Sequence, residues 1–211
     1  MPSSPTVNDI KICSMALTRL GEKTIGSFTE GTDRATICAN NYPTVKDTLL
    51  SLYDWKFAIT KQQLTRLSAT PNSAWTYQYQ LPATRLIDGP IAVYDTNVAG
   101  ASPYKDFEVQ GSVLLTEATA IYIDFLANNV AEENWPPYFV DLVVQALMAE
   151  IAMAITDQSG LAQKQHEKVY GTPVENGQGG LFGRAKARNS REDPPNVFQD
   201  FSLILARAEG Q

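Results

Sequence analysis

Two cysteines and one histidine in 211 residues leave little for metal or thiol chemistry. Cys13 and Cys38 lack a CxxC spacing, and His166 completes no recognised zinc set with them. The two thiols read as small buried apolar side chains in a reducing compartment. The N-terminal stretch MPSSPTVNDIKIC lacks a basic segment followed by an apolar run, and no uncharged apolar stretch elsewhere approaches about 18 residues. The expectation is a protein made and assembled in the cytoplasm, with no membrane partner. Positive charge is also scarce. A net charge of −6 argues against a general nucleic-acid coat, because such proteins carry a basic surface stripe. The local exception is a cluster of Arg184, Lys186, Arg188 and Arg191 near the C-terminus.

Catalytic arrangements are equally thin. Glu132 and Glu133 beside Trp135 invite a glycan-hydrolase reading, but that reaction needs two carboxylates on opposite sides of a bond. Adjacent acids ahead of a helix more simply meet its dipole. A serine hydrolase needs a base, yet His166 stands in a polar helical segment, LAQKQHEKVY, and no GxSxG elbow exists. Gly177, Gly179, Gly180 and Gly183 approximate a nucleotide loop but lack the GxxxxGK[ST] spacing and a preceding strand. They read as a flexible loop. No catalytic residue, metal ligand or cofactor is expected.

Apolar periodicity organises the rest. Ile10, Cys13, Leu17 and Leu20 recur at three- and four-residue steps, so a first helix is expected with Thr6 as N-cap and Gly21 as its stop. A second begins near Thr32 or Asp33 and carries Cys38, Tyr42, Val45, Leu49 and Leu52 on one seam. Pro43 interrupts that seam and predicts a kink or a break. After Leu67 the period falls to two: Trp75, Tyr77, Tyr79 and Leu81 alternate with polar neighbours. Short runs follow at IAVYD, DFEVQ, SVLLT and AIYIDF, with a hairpin at Gln110, Gly111 and Ser112. These make a small antiparallel β unit over residues 75–126.

Helix resumes after NWPP, with Pro136 and Pro137 in its first turn. Phe139, Val143, Leu147, Ile151 and Ile155 form a stripe, and Ala146, Ala149, Ala152 and Ala154 allow close packing, as a central helix requires. Ser159 caps a further segment, GTPVENGQGGLFG opens a loop, and RAKARNSRED returns to helix before Pro194 and Pro195. The last segment, NVFQDFSLILARAEGQ, aligns Phe198, Phe201 and Leu205 on one face. It either packs on its own domain or docks into a groove of another subunit. The fold class is α+β, mainly α: a helical bundle (1–67 and 131–191) carrying an inserted antiparallel β subdomain (68–130) and an extended C-terminal arm (192–211).

The succession ICSMALTRLGEKTI, ATICANNYPTVKDTLLSLYDWKFA, WTYQYQLP, FEVQGSVLLTEAT and WPPYFVDLVVQALMAEIAMAIT resembles the tail tubular protein A family, the head-to-tail connectors (adaptors) of short-tailed bacteriophages. The likeness runs from about Val7 to Thr156, and its order is as telling as any single box. In YDWKFA, Trp55 and Phe57 are expected to cover the end of the helical core, with Trp75, Tyr77, Tyr79 and Trp135 as further core aromatics. Lys46 and Asp47 stand where the family has arginine and aspartate, and read as an exposed or subunit-bridging ion pair or as a plain solvated helix face. Pro43 and the glycine stretch from Gly171 to Gly183 depart from the family pattern.

What the resemblance implies is a virion protein of the tail and neck and not an enzyme. It implies a homo-oligomeric ring of twelve copies beneath the portal, receiving the tail nozzle protein below and continuing the DNA channel without specific DNA binding. The residues expected to meet a partner are Arg184, Lys186, Arg188, Arg191, Phe198, Phe201 and Leu205. For the basic cluster an acidic portal surface is preferred over DNA phosphates, since RAKARNSRED offers no aromatic for base stacking. The rival readings are a tail-associated glycan hydrolase and a DNA-binding packaging or completion factor.

Overall fold

The structure is a computed structural model that describes residues 6–192; the segment carrying Phe198, Phe201 and Leu205 lies outside the described residues. Among the described residues five α-helices and seven short strands fall in three blocks, with α-helices before and after the strands, as the α+β, mainly α expectation requires.

Helix α1 (Asp9–Arg19) starts two residues later than Thr6 predicts. Asn8 is the N-cap, its side-chain oxygen accepting from the Lys11 amide at 2.8 Å. Gly21, with φ +86°, ends it as expected. Asn8→Ala is expected to lower stability by about 1 kcal/mol and Thr6→Ala to leave it unchanged, a difference that paired urea titrations resolve.

Helix α2 (Asp33–Ser51) is capped by Thr32 and runs through Pro43 as one helix, so of the kink or break expected there the break does not occur. Pro43 lies on the exposed side while Tyr42 and Val45 are buried, so the carbonyl that loses its partner one turn back is on the wet side of the helix. The seam of Cys38, Tyr42, Val45 and Leu49 faces the core, but Leu52 at its end is half exposed.

The β part begins at Ile59, inside the stretch expected to be helical, because the chain leaves α2 through a single turn of 3-10 helix at Lys56–Ala58. It also forms two sheets where one was expected. Strands β1 (Ile59–Gln63), β7 (Tyr122–Leu126) and β4 (Ala92–Tyr94) pair in that order. Strands β2 (Thr65–Arg66), β3 (Tyr77–Gln80), β6 (Val113–Thr116) and β5 (Phe107–Gln110) make the second sheet. All pairings are antiparallel. Gln110 pairs with Val113, so the predicted hairpin turns on Gly111 and Ser112, with Gly111 at φ +56°. The two sheets share a core of Leu64, Tyr79, Leu81, Leu114, Val93, Ile121, Ile123 and Phe125.

Helix α3 (Pro137–Thr156) opens with Pro136 as N-cap and Pro137 in its first turn. It packs against α1, α2, α4 (Ser159–Tyr170) and α5 (Gly180–Ser190). Phe139, Val143, Leu147 and Ile151 are buried as predicted, and so are Leu142, Val144 and Met148 on other faces. With a mean hydropathy of 1.8 over 18 residues it is long and apolar enough to cross a membrane, although it is not an uncharged run, since it carries Asp141 and Glu150. Two thirds of that window is buried inside the protein, as the core helix of a bundle would be. Cys13 and Cys38 are both free and fully buried in this core. The hydrogen bond with the Cys38 thiol, and then burial, push the ionisation of Cys13 well above the ordinary thiol range.

Candidate partner-binding surface

The C-terminal helix α5 carries the basic cluster, and its anchorage decides which charges are available. Phe182, Ala185 and Asn189 recur at three- and four-residue steps and are buried. Phe182 reaches the Trp55 indole with centroids 6.1 Å apart and the Tyr170 ring at 6.3 Å. Trp55 is the centre of this end of the core. It is fully buried, its Nε1 donates to the Leu49 carbonyl at 2.8 Å, and it meets Tyr53, Phe57, Tyr138 and Phe139.

Asn189 is the polar half of the same anchorage. Its Oδ1 accepts from the Lys56 amide at 3.2 Å and from the Tyr138 hydroxyl at 3.3 Å, and Tyr53 and Ser190 bond at 3.0 Å nearby. Tyr138 also donates to Glu192 at 3.4 Å. Burial, and then the Glu192 carboxylate, pushes the Tyr138 phenol up to about 12. The neutral phenol is thus favoured in the folded state. This contribution is whole below the ordinary tyrosine value of 10.0 and is lost as pH rises towards about 12. Tyr138→Phe is expected to flatten part of the loss of stability in that window, read from melting temperatures across an alkaline series.

The four basic residues do not act alike. Arg184, Arg188 and Arg191 are exposed. Lys186 is turned the other way: its Nζ lies over the Tyr53 ring at 5.7 Å and the Phe182 ring at 5.2 Å, and it bonds to Gln178. It therefore belongs to the anchorage more than to the free surface.

The glycine stretch corrects the flexible-loop expectation. Pro173–Glu175 is a 3-10 turn closed by a reciprocal Thr172–Glu175 capping box, and Gly180 already begins α5. The Glu175 carboxylate accepts from the Thr172 amide at 2.8 Å and fills the space where side chains on Gly171 and Gly179 would stand. At Gly180 a Cβ would lie 2.6 Å from the Lys168 carbonyl oxygen and 2.7 Å from that of Val169, so the turn is seated directly on the end of α4.

Other candidates fall elsewhere. Lys46 pairs at 3.7 Å with Glu132, not with Asp47, and the Tyr42 hydroxyl donates to the same carboxylate at 2.9 Å. Glu132 thereby ties α2 to the turn before α3 and has structural partners on both sides. Burial and then Glu132 raise the Tyr42 phenol far above its usual range. His166 is exposed and stacks on Tyr170, centroids 4.8 Å apart. Trp135 and Tyr79 are core residues as expected, Phe57 and Tyr77 only half-buried packers. Trp75 precedes β3, is half-buried, and spends its Nε1 on Glu108 at 3.0 Å, so it borders the sheet instead of forming its core. The Gln110 amide, and then that indole, hold the Glu108 carboxyl below the usual carboxylate range. Among the described residues no group of three or more His, Cys, Asp or Glu side chains comes together as a metal site.

The sequence does not by itself reveal the anchorage through Asn189: Phe182, Ala185 and Asn189 stand at helical spacing, but Phe182 falls in the stretch expected to be a loop and the other two in the polar RAKARNSRED. No family model matches the chain. No curated protein matches it either.

Proposed function

We propose that the chain is a structural virion subunit: a ring-forming head-to-tail connector that joins a portal to a tail nozzle and continues the channel through which DNA leaves. The observation that carries this reading is the order of sequence boxes resembling tail tubular protein A, supported by a subunit with two unlike halves. A closed ring needs a heterologous contact, one face of each copy meeting a different face of the next. A helical body and a two-sheet β part supply unlike faces on one chain. Helix α5, on the exposed side of the body, supplies the contact for the portal.

Particle-size measurement by sedimentation tests this directly, on the full chain alone and after mixing with the portal protein. A ring-sized species, formed alone or only on the portal, is expected. A chain that stays monomeric in both samples and does not co-sediment with the portal overturns the connector reading.

A further inference from the structure

Between the end of α4, the 171–179 turn and the first half of α5 lies an open groove of about 730 Å³. Gly171, Gly179, Gly180, Gly183 and Ala187 line it together with Lys168 and Arg184, and the Glu175 carboxylate covers Gly171 and Gly179. Arg188 and Arg191 follow Arg184 along the same face of α5, at rises of about 6 and 4.5 Å. None of these three guanidinium groups takes part in an ion pair among the described residues, whose pairs are Arg19–Asp141, Arg34–Glu22 and Lys46–Glu132.

We propose that the Arg184, Arg188, Arg191 row, which starts at the edge of this groove, binds an acidic segment of a partner protein. The inference rests on α5 being the contact helix and adds the chemistry of what it contacts. Guanidinium groups grip carboxylates through paired hydrogen bonds, and three on one helix face present them about one turn apart. A nucleic-acid strand fits less well. Glu167 and Glu175 line the groove and Glu192 follows the row, so the positive charge is short and bounded at both ends by carboxylates. The Tyr53 and Phe182 rings beside α5 lie under Lys186, which occupies faces on which bases would stack. A polyphosphate would run into repulsion beyond the row, whereas a protein segment with a few acids at matching spacing would not.

The test uses the full chain and three labelled probes in about 50 mM salt, where exposed charge is weakly screened. These are a helical peptide with glutamates at positions i, i+4 and i+7, its glutamine counterpart, and a duplex DNA of equal net charge. Fluorescence anisotropy is expected to show the glutamate peptide binding tightest. R184Q/R188Q/R191Q should weaken it by about tenfold or more, and Lys164→Gln, an exposed lysine on α4, should leave it unchanged. Circular dichroism checks that the variants fold. DNA binding more tightly than the glutamate peptide, or a triple variant that binds as the parent does, overturns the inference. The same triple variant mixed with the portal separates the two proposals. Portal association that survives the triple change sinks this surface but leaves the connector reading intact. If the parent chain fails to associate, the connector reading falls and the peptide result still decides this one.

Discussion

Trp55→Ala is expected to remove about 3–5 kcal/mol of stability, a large part of what a domain of this size possesses. The indole is fully buried between α2, the turn leading to β1, α3 and α5, and five aromatic rings lean on it. Truncation opens a cavity that Phe57, Phe139 and Phe182 cannot fill without leaving their own neighbours, and it strands the Leu49 carbonyl. Since Trp55 supports Phe182, α5 should loosen before the rest of the body melts. Hydrogen exchange checks this: amides of α5 should lose protection first, then those of α1 and α3, with the β part least affected because its core is separate. Trp55→Phe, which keeps most of the ring surface, should recover well over half of the loss. Equal protection of α5 in the parent and in Trp55→Ala would show that the helix is held by something other than this contact.

Gly180→Ala is expected to cost about 3 kcal/mol, far more than alanine at Gly177. Both residues have positive φ, at +57° and +71°, so both substitutions carry backbone strain of about 1 kcal/mol. They differ in what the new methyl would meet. At Gly177 there is open space, while at Gly180 there are two carbonyl oxygens of α4 and the Gly171 nitrogen at 2.8 Å, all main chain. Main chain at the end of a packed helix cannot swing aside, so the turn must lift from α4 and take the start of α5 with it. Chemical denaturation of the two variants side by side reads the difference. Similar midpoints for both would mean that the contact with α4 yields easily.

Much of the fold was legible because it is written in local periods. The three- and four-residue seams of α1, α2 and α3, the alternation of Tyr77, Tyr79 and Leu81, and the Gly111 turn each need only neighbours along the chain to be recognised. Where reading failed, a distant partner had changed the outcome. Pro43 reads as a breaker, but a helix whose proline faces water and whose other sides pack on α3 survives it. ITKQQ has no clear alternation and was taken as helical, yet β7 supplies a strand to pair with it residue by residue. The glycine stretch reads as flexible, and a single carboxylate, Glu175, locks it.

By itself the sequence determined the order of helices and strands, the identity of the central helix, and the presence of four basic residues near one end. Each of these depends on composition and spacing along the chain. Only the tertiary structure decided that three of those four side chains are exposed and that the fourth is turned onto aromatic rings. Lys186 lies over rings contributed by Tyr53 and Phe182, and Asn189 is held by Lys56 and Tyr138. Contacts such as Tyr53–Lys186 and Lys56–Asn189, between residues more than a hundred positions apart, leave no period in the sequence, because they exist only once the two segments have folded against each other.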